Sequence, residues 1–251
     1  MQYPFGLFLF LIFPVVSSWM EIPFNIHRCR FGNETCLVES LNSYIKTFAK
    51  GIPEKYFRPF NRLSGPNFPL FNDSTDLPIG LRLNLKNLTL NGLENATVLS
   101  VKGFEQDPTQ KKILIEIRIP RLECVAKFDF DTKLLLFRAS GNGSFNVDAQ
   151  NFHLNISFKV FVEFRQGKRY LRVYDMDFNV DLDRCILSLD NLYEWNTDLS
   201  IVLNRVMNEH WLEFWNELES RFLPYFSRMG VDRLSRFFYY FSYDEMFIND
   251  Q

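Results

Sequence analysis

Four cysteines, Cys29, Cys36, Cys124 and Cys185, carry the most definite chemistry in this 251-residue chain. An even set in a chain that opens like an exported one defaults to disulfides. Cys29 and Cys36 stand seven apart, a spacing that predicts a local clasp at the start of a helix. Closing so short a loop contributes about 2.5 kcal/mol. Cys124 and Cys185 fall in separate strand-like segments. Paired, they would staple two distant strands and contribute about 4 kcal/mol; unpaired, they are two buried thiols. Sequence alone does not select a connectivity, and the expectation is Cys29–Cys36 with Cys124–Cys185. The chain has no CxxC spacing, so neither zinc nor redox chemistry is expected of these residues.

The remaining reactive side chains assemble no catalytic motif. There are three histidines, His27, His153 and His210, and no nucleophile elbow, HExxH or glycine-rich phosphate loop accompanies them. His210 within Asn208-Glu209-His210-Trp211 reads as a core or boundary histidine, not a metal ligand. Asp181 and Asp183 read as a wet sheet face, not an acid/base pair. No metal, no cofactor and no enzymatic activity are expected. A formal net charge of -2 without a basic run argues against nucleic acid as a partner.

Export is written at the amino terminus. Phe5 to Val16 is uncharged, and Val16-Ser17-Ser18 offers small residues for cleavage, so residues 1–18 read as a signal peptide. The stretch is too short to span a bilayer, which needs about 20 apolar residues, and stable membrane insertion is not expected. Residues 19–251 are then read as one domain. Six sequons agree with secretion, at Asn33, Asn72, Asn87, Asn95, Asn142 and Asn155. Each predicts a solvent-facing position on an extracellular glycoprotein.

Those six asparagines also orient the elements. Glu34 to Lys50 has helical spacing through Leu37, Leu41, Tyr44, Ile45 and Phe48, with Asn33 as a plausible cap and Gly51 and Pro53 as stops. The proline-rich stretch 51–78 reads as loop. Strands follow. Leu81, Leu83 and Leu85 share one face, and Leu88 and Leu90 take the other parity. For Asn87 to face out, the register must shift near Lys86-Asn87, which predicts a β-bulge. Ile113 to Ile119 alternate, Pro120 interrupts, and Leu122, Cys124, Phe128 and Phe130 resume on the opposite parity. Gly141-Asn142-Gly143 predicts a turn or bulge. Phe152 to Phe164 alternate with Asn155 outside. Tyr174, Met176, Phe178, Val180 and Leu182 face one way, and Asp175, Asp177 and Asp181 the other. A helix is expected from Asp198 to Leu223, greasy on more than one face and ended by Pro224. A shorter aromatic segment, Asp232 to Tyr243, packs last. Long antiparallel strands must twist and coil, so the fold class is α+β: a long helix wrapped by a highly curved antiparallel sheet.

Several stretches resemble the insect juvenile-hormone-binding and takeout family across nearly the whole mature chain. They are CRFGNETCLVESLNSYIKTFAKGIPE, LNLKNLTLNGLENATV and IPRLECVAKFDFDTKLLLFRASGNGSFNV, then YLRVYDMDFNVDLDRCILSLDNLY, LNRVMNEHWLEFWNELE and a closing DEMF. The resemblance implies an elongated apolar tunnel between helix and sheet. It also implies a secreted carrier of a small hydrophobic ligand, terpenoid or fatty-acid-like. The chain departs from the family at Phe60-Asn61-Arg62-Leu63, where members often carry Asp-Pro-Leu. Cysteines like Cys124 and Cys185 suit hormone-binding members, which carry a second bridge, better than takeout-like ones.

On that reading the ligand wall is expected from Phe128, Phe145, Phe158, Tyr174, Met176, Phe178, Trp211, Phe214 and Trp215. A ligand of about 20 heavy atoms at roughly 0.3 kcal/mol per atom gains about 6 kcal/mol. Submicromolar binding needs more than about 8 kcal/mol. Polar anchors must supply the difference, and Tyr170, Tyr174, Ser140 and Trp211 are the candidates. The competing reading is an extracellular interaction module with a filled core, engaging a cell-surface receptor of unknown identity.

Overall fold

The computed structural model describes residues 27–51, 59–73, 79–191 and 197–248. The expected signal peptide and the Asn196 cap lie outside the described residues. Helix α1 (Glu34–Phe48) begins where its cap predicts: the Asn33 Oδ1 accepts from the Cys36 backbone N–H. A glycan would take the other amide atom, so capping and glycosylation do not compete at Asn33.

Eight strands form one antiparallel sheet: β1 (Arg62–Ser64), β2 (Phe68–Asn72), β3 (Ile79–Asn91), β4 (Thr97–Lys102), β5 (Ile113–Leu134), β6 (Phe137–Arg165), β7 (Lys168–Asp181) and β8 (Arg184–Asp190). Its spine is the β5–β6 hairpin, whose strands run 22 and 29 residues. Each is long enough to take two partners in succession. β4 pairs with the start of β5, and β3 with its end. β8 pairs with the start of β6, and β7 with its end.

The two partnerships meet at a seam. Ile119 and Phe152 are paired and buried, and so are Cys124 and Val147, yet the buried parity differs on the two sides of Pro120 and Asn151. Pairing passes through without a slip. Both strands therefore change faces together, with Asn151 in the left-handed region at φ 49°. The β3 bulge falls where the leucine parity predicts it. Register shifts between Lys86 and Thr89, Asn87 has φ 53°, and its side chain is exposed.

Gly141-Asn142-Gly143 makes no turn or bulge, because it lies inside the regular β5–β6 pairing. Gly143 is needed for a close approach: a Cβ there would sit 1.9 Å from the Asp190 carbonyl oxygen. The hairpin turns later, at Leu135 and Leu136. The stretch expected to be loop contains β1 and β2. Pro69 is accommodated because β2 pairs on one side only, with β3.

The long helix differs from its expected limits at both ends. It breaks at His210 into α2 (Thr197–Glu209) and α3 (Trp211–Tyr240), although His210 N–H still donates to Val206 and Phe214 N–H to His210. Pro224 does not end α3; it lies within it. Proline deletes one helical hydrogen bond, and here it stands on the exposed side, opposite the stripe that packs. A short helix α4 (Tyr243–Met246) follows. The sheet is open and lies against the helix without closing around it, with β1 and β7 ending the sheet path.

The edge of β8 is covered by two asparagines one turn apart on α2. Asn204 accepts from Leu189 N–H at 2.8 Å and donates to its carbonyl at 2.9 Å. Asn208 does the same for Leu187 at 2.9 and 2.7 Å. Side-chain amides thus imitate a neighbouring strand and protect an edge that would otherwise be open to pairing.

Candidate ligand-binding site

The buried side chains form two clusters, the first of which spans the seam. The first holds Phe128, Phe145, Cys124, Cys185, Trp215, Leu218 and Phe222. The second holds Cys29, Val101, Phe158, Val160, Met176, Phe238, Tyr243 and Phe247. A cavity of about 190 Å³ lies between α3 and the sheet beneath the seam, lined by Ile119, Leu122, Ala149, Phe152, Phe178 and Trp215 among others.

The α3 side of this cavity is one helical stripe: Trp215, Phe222, Phe226, Met229 and Arg233 all line it. From Trp215 to Arg233 is eighteen residues, five turns, or about 27 Å of helix. Gly230 lies in the same lining, where α3 closes on β7. A Cβ on Gly230 would stand 2.7 Å from the Met176 sulfur and 3.0 Å from the Phe178 ring, so glycine sets how near the helix comes. The Ser227 hydroxyl donates to the Met176 carbonyl alongside.

Of the nine expected wall residues, Phe178 and Trp215 line the cavity. Phe128 and Phe145 are buried in the first cluster, and Phe158 and Met176 in the second, where they fill space. Tyr174 stacks on Phe161 at 4.0 Å, a ring that is 54% exposed, so it stands on the outer side of the sheet. Phe214 is exposed. Trp211 packs partly against the first cluster with the Arg184 guanidinium 5.5 Å over its ring. Neither are the suggested anchors in the lining. Tyr170 is buried beneath Arg165, whose guanidinium lies 3.7 Å over its ring, and Ser140 is exposed.

The residues missed are mostly small and aliphatic: Leu90, Leu93, Leu122, Cys124, Val147, Ala149, Leu154 and Val180. Met229, Gly230 and Arg233 escaped because the helix was expected to stop at Pro224. Near the other end of the stripe, Trp215 hydrogen-bonds Glu219, one turn along the helix; burial pushes that carboxyl up despite the bond.

The disulfide between Cys29 and Cys36 is present, with Cα atoms 5.7 Å apart. The Cys124–Cys185 bridge is not: both are free and buried. Topology forbids it. Cys124 pairs with Val147 and Cys185 with Ala149, on opposite sides of β6. Two strand spacings come to about 10 Å, beyond the Cα separation a disulfide spans. Burial pushes both thiols up to about 12. Among the described residues no cluster of histidine, cysteine or carboxylate could hold a metal ion, and no helix is long and apolar enough to cross a membrane.

All six sequon asparagines are exposed. Asp175, Asp177 and Asp181 are exposed as well, with Asp175 paired to Lys159 at 2.8 Å.

The model of the haemolymph juvenile hormone binding protein family matches residues 7–248. The chain is 24% identical over 217 residues to the circadian clock-controlled protein daywake of Drosophila melanogaster, covering 82% of this chain and 84% of that one. Its counterpart in Drosophila yakuba is 25% identical over 199 residues, covering 78% and 76%. The crystal structure of Epiphyas postvittana Takeout 1 superposes with a TM-score of 0.73 at 19% identity, over 86% of this chain and 96% of that one.

Proposed function

The chain belongs to the haemolymph juvenile hormone binding protein family, and from that premise we propose that it is a secreted carrier. It holds a small hydrophobic ligand between α3 and the sheet. The family consists of binding proteins, not enzymes. The observation that carries the reading is the apolar cavity of about 190 Å³ beneath the seam. Well-packed interiors leave few voids larger than a water molecule, so a cavity of this size needs a reason.

The cavity is smaller than the roughly 300–1,000 Å³ of pockets that bury a ligand of ordinary size. Filling it with a terpenoid or fatty-acid-like molecule requires the wall to give way, extending the cavity into a tunnel along the helix. Met229 suits that role, because an unbranched thioether side chain repacks readily. The secretion reading is supported by the leader at 1–18, the Cys29–Cys36 bridge and six exposed sequons, where glycans would attach.

A second reading has its own support. Leu199, Ile201, Val202, Val206, Leu212 and Phe214 leave a run of α2 and early α3 apolar and exposed, as an extracellular interaction module would. Solvent extraction and native mass spectrometry of the purified protein separate the two. A carrier releases lipid-like molecules and displaces a neutral fluorescent probe. A protein that does neither is an interaction module.

A further inference from the structure

We propose that α2 is a self-association site, on which a second copy of this chain docks antiparallel about a two-fold axis at Val202. No residue of α2 lines the cavity, so the proposal stands apart from the carrier reading. It assigns an occupant to part of the exposed apolar run on the helices. Ser200 is buried, Asn204 and Asn208 grip β8, and Met207 packs on the first cluster, which marks the inner side of α2. Leu199, Val202 and Val206 lie off that side and are exposed. Their spacing, three residues and then four, is that of one coiled-coil seam.

The charges beside the seam point to its occupant. Asp198 and Arg205 are both exposed. They stand seven residues apart, each just before a seam position, and so share one flank. Turned end for end about Val202, each copy sets its Arg205 against Asp198 of the other. Leu199 then meets Val206, and Val202 meets its own copy. A parallel pair would instead bring like charges level with each other. The next two positions along the stripe, Glu209 and Glu213, are exposed carboxylates. They end the apolar seam and would repel an anionic lipid surface. No sequon lies on α2 or α3, so no N-glycan would stand on either helix. The thirteen residues of α2 span about 20 Å. An interface that short is below the standard size, so the dimer is weak, with a Kd of about 10–100 µM.

The test is sedimentation velocity of the secreted, glycosylated protein from about 1 to 200 µM in about 50 mM salt. The wild type should pass from monomer to dimer across that range. Val202→Lys should leave it monomeric, because two ammonium groups would meet on the axis. Arg205→Asp should weaken the dimer about fivefold, as should Asp198→Arg, and about 0.5 M salt should shrink both effects. The double exchange, Asp198→Arg with Arg205→Asp, should restore the dimer. Val202→Cys should cross-link to its copy on oxidation, whereas Ile201→Cys, exposed but off the seam, should not. Thermal unfolding of each variant checks that the fold is intact. A wild type that stays monomeric overturns the proposal, and so does a dimer that Val202→Lys leaves unchanged. A folded double exchange no stronger than the single ones overturns it as well. A monomer that instead co-sediments with phosphatidylcholine vesicles gives the face to lipid and also overturns it. None of these results touches the carrier reading, which stands or falls on probe binding.

Discussion

The two sides of the seam use the same kind of strands to opposite ends. On the clasp side, β4, β7, α1 and the C-terminal residues make a filled core. Phe31 stacks on Phe247 at 4.5 Å, Tyr243 donates to the Glu105 carbonyl at 2.7 Å, and Arg169 pairs with Asp244 at 2.6 Å. Cys29 is bridged to Cys36 and forms a parallel β-bridge with Phe247, tying the two ends of the described chain together. On the other side, β3, β8 and the first half of α3 pack Phe128 and Phe145 with equal care, but at the seam the lining shrinks to Ala149, Val147 and Cys124. Space is left where side chains are short. The cavity is bounded by short side chains of the sheet on one side and by aromatic side chains, Trp215, Phe222 and Phe226 of α3, on the other.

That contrast can be broken at its strongest point first. Phe158 is 1% exposed in the clasp-side core. Phe158→Ala should cost about 3–5 kcal/mol by cavity creation, measured by denaturant unfolding, and should leave probe affinity per folded molecule nearly unchanged. A gain in probe binding would mean the clasp side shares the ligand space. Removing the clasp with Cys29→Ala and Cys36→Ala should cost about 2.5 kcal/mol. Under the same comparison, a reducing agent should lower the wild-type melting temperature toward that of the double variant, and a reductant-insensitive wild type would count against the bridge's role.

A pair of enlargements then compares the two sides directly. Val101 is fully buried on the clasp side, and Ala149 lines the cavity. Val101→Leu has nowhere to put its methylene and should cost about 1–3 kcal/mol. Ala149→Leu extends into the cavity and should change stability by less than about 1 kcal/mol, while weakening probe binding. Equal destabilisation by the two would show that the cavity closes in solution.

Much of this was legible in the residues. The parity change at Asn87 fixed a bulge, the Cys29–Cys36 spacing fixed the clasp, and six sequons identified positions that are all exposed, four of them on strands. Three physical facts were not. Proline stops a helix only when nothing else holds it, and Pro224 faces solvent while its neighbours pack. Strand order is invisible to alternation, so nothing in the spacing of Cys124 and Cys185 reveals that β6 separates them. A cavity is a difference between volumes on facing elements, and residue size on one strand does not give it. The stop misplaced at Pro224 hid Met229, Gly230 and Arg233, which are the cavity's distinctive features.

The smallest expected effect concerns the two thiols, both of which belong to the cavity side, whereas the clasp-side cysteines are bridged and do not titrate. Burial raises each thiol from about 9 toward about 12 in the folded protein. The neutral form is therefore the one the fold accepts. Its contribution is complete below about pH 9 and is lost as pH rises toward the folded value, because the unfolded chain releases the proton first. Wild-type melting temperature should fall between about pH 8 and pH 10 more steeply than that of a Cys124→Ala, Cys185→Ala double variant. Tyr44 and Tyr243, also pushed up by burial, contribute to both proteins and cancel in the comparison. The two thiols then separate from each other. Cys124 lines the cavity and Cys185, fully buried, is not part of the lining. Bound probe should slow alkylation of Cys124 by more than its general stabilisation slows alkylation of Cys185. Equal slowing at both would mean that ligand acts only by resisting unfolding and that the cavity beside Cys124 is not where it sits.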